Sequence, residues 1–120
     1  MKKPNGIELL TIQSFTREEL KATYQTFCGV IRIDGTVHPA ETQMLKELRE
    51  LFNITDDIVV ASRSYSVDEI VDIHRNMQDI KKVFLIKYMS QICFVDGNVH
   101  PAEEEFVLNY AKLINCPDMS

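Results

Sequence analysis

Cysteine is scarce in this sequence of 120 residues, and the three cysteines show no pairing pattern. Cys28, Cys93 and Cys116 are odd in number and lack Cys-x-x-Cys spacing, which argues against a disulfide framework and indicates a reducing compartment. Cys28 and Cys93 fall within apolar helical stretches, so we expect both thiols to be buried and inert. These observations favour a cytoplasmic protein.

A surplus of positive charge and a long apolar run are also lacking. The net charge of -5 and the pI near 5.1 argue against nucleic-acid binding. The most apolar stretch, VFLIKYMSQICFV, is interrupted by Lys87 and Gln91 and is too short to cross a bilayer. The first residues lead into no apolar run, so we expect neither a signal peptide nor a membrane span. Length and composition predict one soluble domain over residues 1–120.

Acidic residues dominate the last part of the chain. Residues 94–120 contain a single lysine, Lys112, against the acidic residues Asp96, Glu103, Glu104, Glu105 and Asp118. An acidic surface of this kind attracts cations or basic partners. Glu104 and Glu105 are therefore the candidate partner-binding residues, and the sequence does not identify the partner.

An octapeptide occurs twice in the chain, as DGTVHPAE at residues 34–41 and as DGNVHPAE at residues 96–103. The two copies are 62 positions apart, and the same offset relates the apolar residues of the following helical stripes. Each copy therefore predicts a helix, a short turn and a second helix, over residues of about 21–54 and 83–116. We interpret this as an internal duplication, with two helical hairpins packed about a pseudo-twofold axis.

The rest of the chain is also predicted to be helical. Thr16–Glu19 and Ser66–Glu69 fit the capping box, so helices are expected to start near Arg17 and Val67. A shorter helix is expected after Thr55, and residues 1–13 are expected to be irregular. His74 is expected to be a half-buried surface residue. The fold class is all-α, a bundle of six or seven helices.

Most of the repeated octapeptide is explained by the geometry of a helical corner. The glycines suit the left-handed position that follows a helix, and the prolines suit the first position of the next helix. Glu41 and Glu103 then occupy the third helical position, where a glutamate bonds back to the N-cap amide. Geometry alone leaves the histidines unexplained.

His38 and His100 occupy the N-cap position, where Ser, Thr, Asp or Asn is preferred. Each turn places an Asp, a His and a Glu within a few residues, so the candidate metal ligands are Asp34, His38, Glu41, Asp96, His100 and Glu103. Imidazole combined with carboxylates suits Zn, Mn, Fe or Ni, and the EF-hand pattern of a calcium site is absent. The alternative is that both histidines are imperfect caps inherited from one ancestral turn.

At these turns the sequence resembles the TerB-like family, the helical domains associated with tellurite resistance. In that family a helix ends in Asp-Gly, an apolar residue follows, and the next helix opens with a small cap, often Pro, and an acidic residue. RIDGTVHPAETQMLKEL and FVDGNVHPAEEEFVLNY both follow this pattern. The same fold forms the N-terminal region of membrane-anchored DjlA-type J-domain co-chaperones.

The resemblance implies a compact bundle of about seven helices with pseudo-twofold symmetry. It also implies clustered acidic residues proposed to bind metal, which fall here on Asp34, Glu41, Asp96 and Glu103. His38 and His100 depart from the family, which often has Ser, Asp or Thr at the cap.

Three functions follow from these patterns. The first is a non-enzymatic TerB-like domain that binds a divalent metal and acts in a bacterial stress response to tellurite, metals or envelope damage. The second is a protein-interaction module of the co-chaperone type, without metal. The third and least favoured is a metal-dependent hydrolase, because histidines are few and no substrate pocket is indicated.

Overall fold

A computed structural model describes residues 4–33, 35–98 and 100–117 of the chain, and these residues form seven α-helices without a strand. The helices are α1 Gly6–Gln13, α2 Arg17–Arg32, α3 Pro39–Phe52, α4 Asp56–Ser62, α5 Val67–Arg75, α6 Asp79–Phe94 and α7 Pro101–Leu113. The all-α prediction is confirmed. Within the described part of the chain, no helix is both long and apolar enough to cross a membrane.

Two of the helix starts depend on the capping boxes that the sequence predicts. The backbone N–H of Glu19 donates to the Thr16 hydroxyl at 3.2 Å, and the N–H of Thr16 donates to the Glu19 carboxylate at 2.8 Å. Ser66 and Glu69 make the same reciprocal pair at the start of α5. The helix expected after Thr55 is α4. These local predictions are confirmed because capping depends on only four consecutive residues.

The expectation that residues 1–13 are irregular is wrong for the described residues of that segment, because α1 begins at Gly6. Asn5, which we interpreted as a loop residue, is the N-cap, and its side chain accepts a hydrogen bond from the N–H of Glu8 at 2.9 Å. Ile12 on this helix is buried in the core, and the Glu8 carboxylate pairs with Lys87 of α6 at 3.0 Å. Residues 1–3 lie outside the described residues.

The core surrounds α2, which packs against α3, α4, α5, α6 and α7. Leu48 on α3 and Tyr110 on α7, which the offset of 62 relates, are both buried. Phe52 contacts three other rings edge to face, those of Phe15, Phe27 and Tyr88. The radius of gyration is 13.3 Å, close to the roughly 14 Å expected for a compact domain of this length.

The two hairpins, α2–α3 and α6–α7, have closely matching bounds. α2 and α6 are each 16 residues long, and they start at Arg17 and Asp79, which are 62 positions apart. α3 and α7 start at Pro39 and Pro101, again separated by 62 positions. Local backbone geometry therefore follows the sequence repeat and places the two octapeptides at equivalent corners.

Candidate metal centre

The corners between the paired helices have the backbone that the sequence predicts. Gly35 and Gly97 adopt the left-handed region with φ of 74° and 81°, where a side chain would be strained. Their N–H groups donate to the carbonyls of Arg32 and Phe94 at 3.1 and 3.0 Å, which closes the preceding helix. Pro39 and Pro101 then open the next helix. This turn places His38 and His100 at the N-terminal ends of α3 and α7.

His38 and His100 are the N-cap residues of α3 and α7, yet neither side chain makes a capping hydrogen bond. The two rings instead lie against each other, with centroids 4.9 Å apart and planes tilted by 35°. Their side chains keep 28% and 17% of their surface exposed, so the pair is reachable from solvent. The two copies of the octapeptide therefore meet in space.

Asp96 joins the two histidines. The ring of His100 donates to Asp96 Oδ2 through Nε2 at 2.8 Å, while His38 Nδ1 lies 3.9 Å from the same oxygen. The hydrogen bond lowers the pKa of Asp96 and raises the pKa of His100. One ligand atom each from His38, Asp96 and His100 lie within 4.8 Å of one another. Donors around one zinc-sized ion are at most about 4.2 Å apart, so small side-chain rotations would gather this trio around a cation.

Glu41 and Glu103, in the first turns of α3 and α7, are both 0% exposed. The expected bond from Glu41 back to the N-cap amide is wrong, because neither of its oxygens accepts a hydrogen bond from a residue that the structure describes. Glu41 Oε1 instead lies 3.9 Å from His38 Nε2. Burying a charged carboxylate without donors is unfavourable, so such groups are normally neutralised by a proton, paired with a charge or bound to a metal.

Glu41 and Glu103 both act electrostatically on the same two neighbours, Cys93 and His100. Burial raises the pKa of the Cys93 thiol to about 12, and the charges of Glu103 and Glu41 add to that shift. After the effects of Asp96, the same two carboxylates contribute to the raised pKa of His100. Cys93 is buried, as predicted, and Cys28 is buried as well. The two carboxylates therefore raise the pKa of both neighbours.

The structure thus gathers three of the six predicted metal ligands, His38, Asp96 and His100, and places Glu41 beside His38. Glu103 is buried, and Asp34 lies outside the described residues. Glu104 and Glu105, the predicted partner-binding residues, are exposed on α7 and do not belong to the trio of His38, Asp96 and His100. The N-cap rule identified the histidines from sequence. The burial of the glutamates was not predicted from the sequence.

His74 is the residue that the sequence interpretation placed wrongly. It is 0% exposed, not half-buried, and its Nδ1 lies 2.5 Å from the Tyr110 hydroxyl while Nε2 lies 3.3 Å from the Thr23 hydroxyl. Burial lowers the pKa of His74 to about 3, so the ring stays neutral in the folded protein. A signal was available in its position on the apolar side of α5, one turn after the buried Val71.

Comparison with known proteins supports the fold and is silent on function. No protein-family profile matches the sequence, and no curated protein matches it. A solved structure of a protein of unknown function from Porphyromonas gingivalis W83 is similar, with a TM-score of 0.75. The match covers 88% of this chain and 90% of that chain at 24% sequence identity. A likeness at this identity shows a shared helical architecture only.

Proposed function

We propose that this chain is a non-enzymatic, TerB-like helical domain that binds a divalent transition metal between its two Asp-Gly-x-Val-His-Pro-Ala-Glu turns. The observation that carries the proposal is Glu41, a fully buried carboxylate with no described hydrogen-bond donor, placed beside two histidines that do not cap their helices. A role in a bacterial stress response rests on the resemblance to the TerB-like family.

The described residues provide a mixed set of ligands. His38 and His100 offer imidazole nitrogens, while Asp96, Glu41 and Glu103 offer carboxylate oxygens. Asp34 is the sequence counterpart of Asp96 and is proposed as a further ligand. A set of nitrogen and oxygen donors suits Mn, Fe, Zn or Ni, since Ca and Mg prefer oxygen alone.

The proposal includes a duplicated hairpin with a pseudo-twofold axis through the site. Two pairs of residues related by the offset of 62 touch each other, His38 with His100 and Glu19 with Lys81. A residue contacts its own symmetry mate only near a twofold axis, so these pairs support an axis between α2 and α6.

Thermal unfolding in the presence of metal tests the proposal. Protein freed of metal by a chelator should gain stability on addition of Mn or Zn, by about 2.7 kcal/mol at roughly 100 times Kd. That corresponds to a rise in Tm of roughly 10 °C for a domain of this size. The gain should decrease as the pH falls, beginning above 6.5 because Asp96 raises the pKa of His100, and a protonated imidazole cannot bind a metal.

Matched variants locate the effect. His38→Ala, His100→Ala and Glu41→Gln should each reduce the metal-dependent rise in Tm, while Glu105→Gln, an exposed change on α7, should leave it intact. If the Tm of the parent protein does not change on addition of any of these metals, the proposal is refuted. Equal rises in the parent and in both histidine variants would refute the assigned ligands.

The interaction module remains the second candidate, because α7 exposes Glu104, Glu105 and the apolar Leu108 together. An acidic surface with an apolar residue suits a basic, partly apolar protein segment. This candidate is favoured if the protein binds no metal and if a captured partner is lost in the Glu104→Lys and Glu105→Lys variants.

A further inference from the structure

We propose that Glu41 is a positioning residue in a site for one metal ion, and that it acts on the ion through His38. The ion lies between Nδ1 of His38, Oδ2 of Asp96 and Nε2 of His100, while Nε2 of His38 donates a hydrogen bond to Glu41. This inference rests on the proposed function, and it narrows the ligand set by assigning Glu41 to the orientation of a ligand instead of to the ion.

Asp96 marks the place of the ion. Its Oδ2 lies 2.8 Å from Nε2 of His100 and 3.9 Å from Nδ1 of His38, so one oxygen faces one nitrogen of each ring. These three side chains form the close group of potential ligands among the described residues, and Glu41 does not belong to it. Donors around one zinc-sized ion are at most about 4.2 Å apart, and both measured distances are below that value. The distances therefore support one ion between these three residues.

The other nitrogen of His38 faces Glu41, with Nε2 lying 3.9 Å from Oε1 of the carboxylate. The two nitrogens of an imidazole ring point away from each other, so one ring can bind an ion through Nδ1 and donate a hydrogen bond through Nε2. A neutral ring that binds through Nδ1 must carry its proton on Nε2. A closer approach of about 1 Å brings that N–H of His38 to hydrogen-bond distance from Glu41.

The burial of Glu41 agrees with this role. Its side chain is 0% exposed, and neither oxygen accepts a hydrogen bond from a described residue. An ion bound to an imidazole withdraws electrons from the ring, so the N–H on the far side becomes a stronger donor to a carboxylate. In return, the carboxylate fixes which nitrogen carries the proton and holds the ring in the orientation that the ion requires. Glu41 therefore gains a donor when the ion binds.

The two repeats contribute their histidines differently in this arrangement. His38 binds the ion through Nδ1 and carries its proton on Nε2, whereas His100 binds through Nε2 and carries its proton on Nδ1. In the metal-free protein, Nε2 of His100 donates to Asp96 at 2.8 Å, and the ion takes the place of that proton. The identical residues of the two octapeptides do not predict this difference, which arises because both rings face one oxygen of Asp96.

Nuclear magnetic resonance of the zinc-bound protein tests the assignment of the atoms. The chain contains three histidines, so isotope-labelled histidine gives a simple spectrum of couplings between ring protons and ring nitrogens. One equivalent of zinc should move the signals of His38 Nδ1 and His100 Nε2 to values typical of metal-bound nitrogen, while the buried His74 should not change. Zinc on Nε2 of His38 would overturn this inference and keep the proposed function. Unchanged signals from both His38 and His100 would overturn both.

Glu41→Gln provides the second readout, with Glu105→Gln as its exposed control. Competition with a chelating dye should give a Kd for zinc about 10–100-fold higher in Glu41→Gln, because an amide orients and polarises His38 less than a carboxylate does. Glu105→Gln should keep the Kd of the parent. Circular dichroism of each variant establishes that the helices are intact before metal is added.

The absorption spectrum of bound cobalt(II) distinguishes a positioning residue from a ligand, because it reports which atoms surround the ion. The spectrum should keep its shape in Glu41→Gln and should change in Asp96→Ala, which loses a ligand. An unchanged Kd for zinc in Glu41→Gln would overturn the positioning role. A cobalt spectrum altered in Glu41→Gln as it is in Asp96→Ala would show that Glu41 is itself a ligand.

Discussion

Glu41 occupies surroundings that cost stability whenever no cation is present. Its side chain is 0% exposed, its oxygens accept no hydrogen bond from the described residues, and His38 Nε2 lies 3.9 Å from its Oε1. A neutral amide of the same shape removes the buried charge. Functional sites often have this property, because groups that serve a ligand are rarely optimal for folding alone.

We therefore expect Glu41→Gln to stabilise the metal-free protein. Denaturant unfolding in a chelator at pH 7.5, above the ordinary histidine pKa, should give a free energy of unfolding higher by about 0.5–2 kcal/mol than that of the parent. Glu105→Gln is the control, and as an exposed change it should stay within about 0.5 kcal/mol. A metal-free Glu41→Gln protein that is less stable than the parent would contradict this view of the site.

Residues whose roles follow from short-range rules could be predicted from the sequence. The left-handed glycines and the prolines at the start of α3 and α7 depend on a few neighbouring residues. The lack of a capping bond from His38 and His100 follows from the same rules. The burial of Glu41 and His74 could not be predicted in this way, because each is covered by helices that are distant in the sequence.

Helix α3 provides a direct test of the packing. Leu48 is 0% exposed at the centre of the core, so Leu48→Ala should lower the free energy of unfolding by roughly 2–5 kcal/mol through lost burial and a cavity. Leu108 on α7 is 58% exposed, and Leu108→Ala should change it by less than about 0.5 kcal/mol. Equal effects of the two substitutions in denaturant unfolding would show that the apolar faces are assigned wrongly.

His74 connects three helices, since it lies on α5 and contacts Thr23 of α2 and Tyr110 of α7. Burial lowers its pKa to about 3 in the folded protein, whereas the unfolded chain takes up a proton near the ordinary value of 6.5. Between those values the unfolded state binds more protons, so acid favours unfolding and stability rises with pH. Above pH 6.5 this contribution is constant.

This linkage predicts how acid affects the packing of α5. Between pH 7.5 and pH 5, His74 should account for a loss of about 2 kcal/mol in the free energy of unfolding of the metal-free protein. His74→Gln should be less stable at pH 7.5 and should lack that part of the pH dependence. The measurement is the difference between parent and variant at each pH, which cancels the titration of the other histidines. Parallel pH profiles would contradict the assignment.

Helix α1 marks the limit of prediction at this scale. It has only eight residues, and a helix of that length is marginal in isolation. Ile7 and Leu10 are 69% and 70% exposed, so its sequence lacks a clear apolar stripe. Its stabilising contacts, the burial of Ile12 and the pairing of Glu8 with Lys87, involve distant parts of the chain. Contacts between residues so far apart in the chain produce no pattern within the α1 sequence itself, so the helix was not predicted.

At the scale of the whole molecule, the repeat was the most informative feature of the sequence. α2 and α6 have bounds 62 positions apart, and Leu48 and Tyr110, separated by the same offset, are both buried. The repeat did not indicate that α2 would lie at the centre of the bundle or that α5 would be tied to it through His74. The apolar period of a helix identifies which of its sides is buried. It does not specify which other helices pack against that side.

The contact between His38 and His100 also constrains the order of events in folding. The two rings are 62 residues apart in the chain, so bringing them together closes a long loop, and the entropic cost of that closure precedes any gain from the contact. An ion that took ligands from both turns would find its complete set only after the two hairpins had docked. Interactions formed after the transition state slow unfolding and leave the folding rate nearly unchanged. Bound metal would therefore act mainly on the lifetime of the native state, and a cell that supplies or withholds the ion would control how long each molecule lasts.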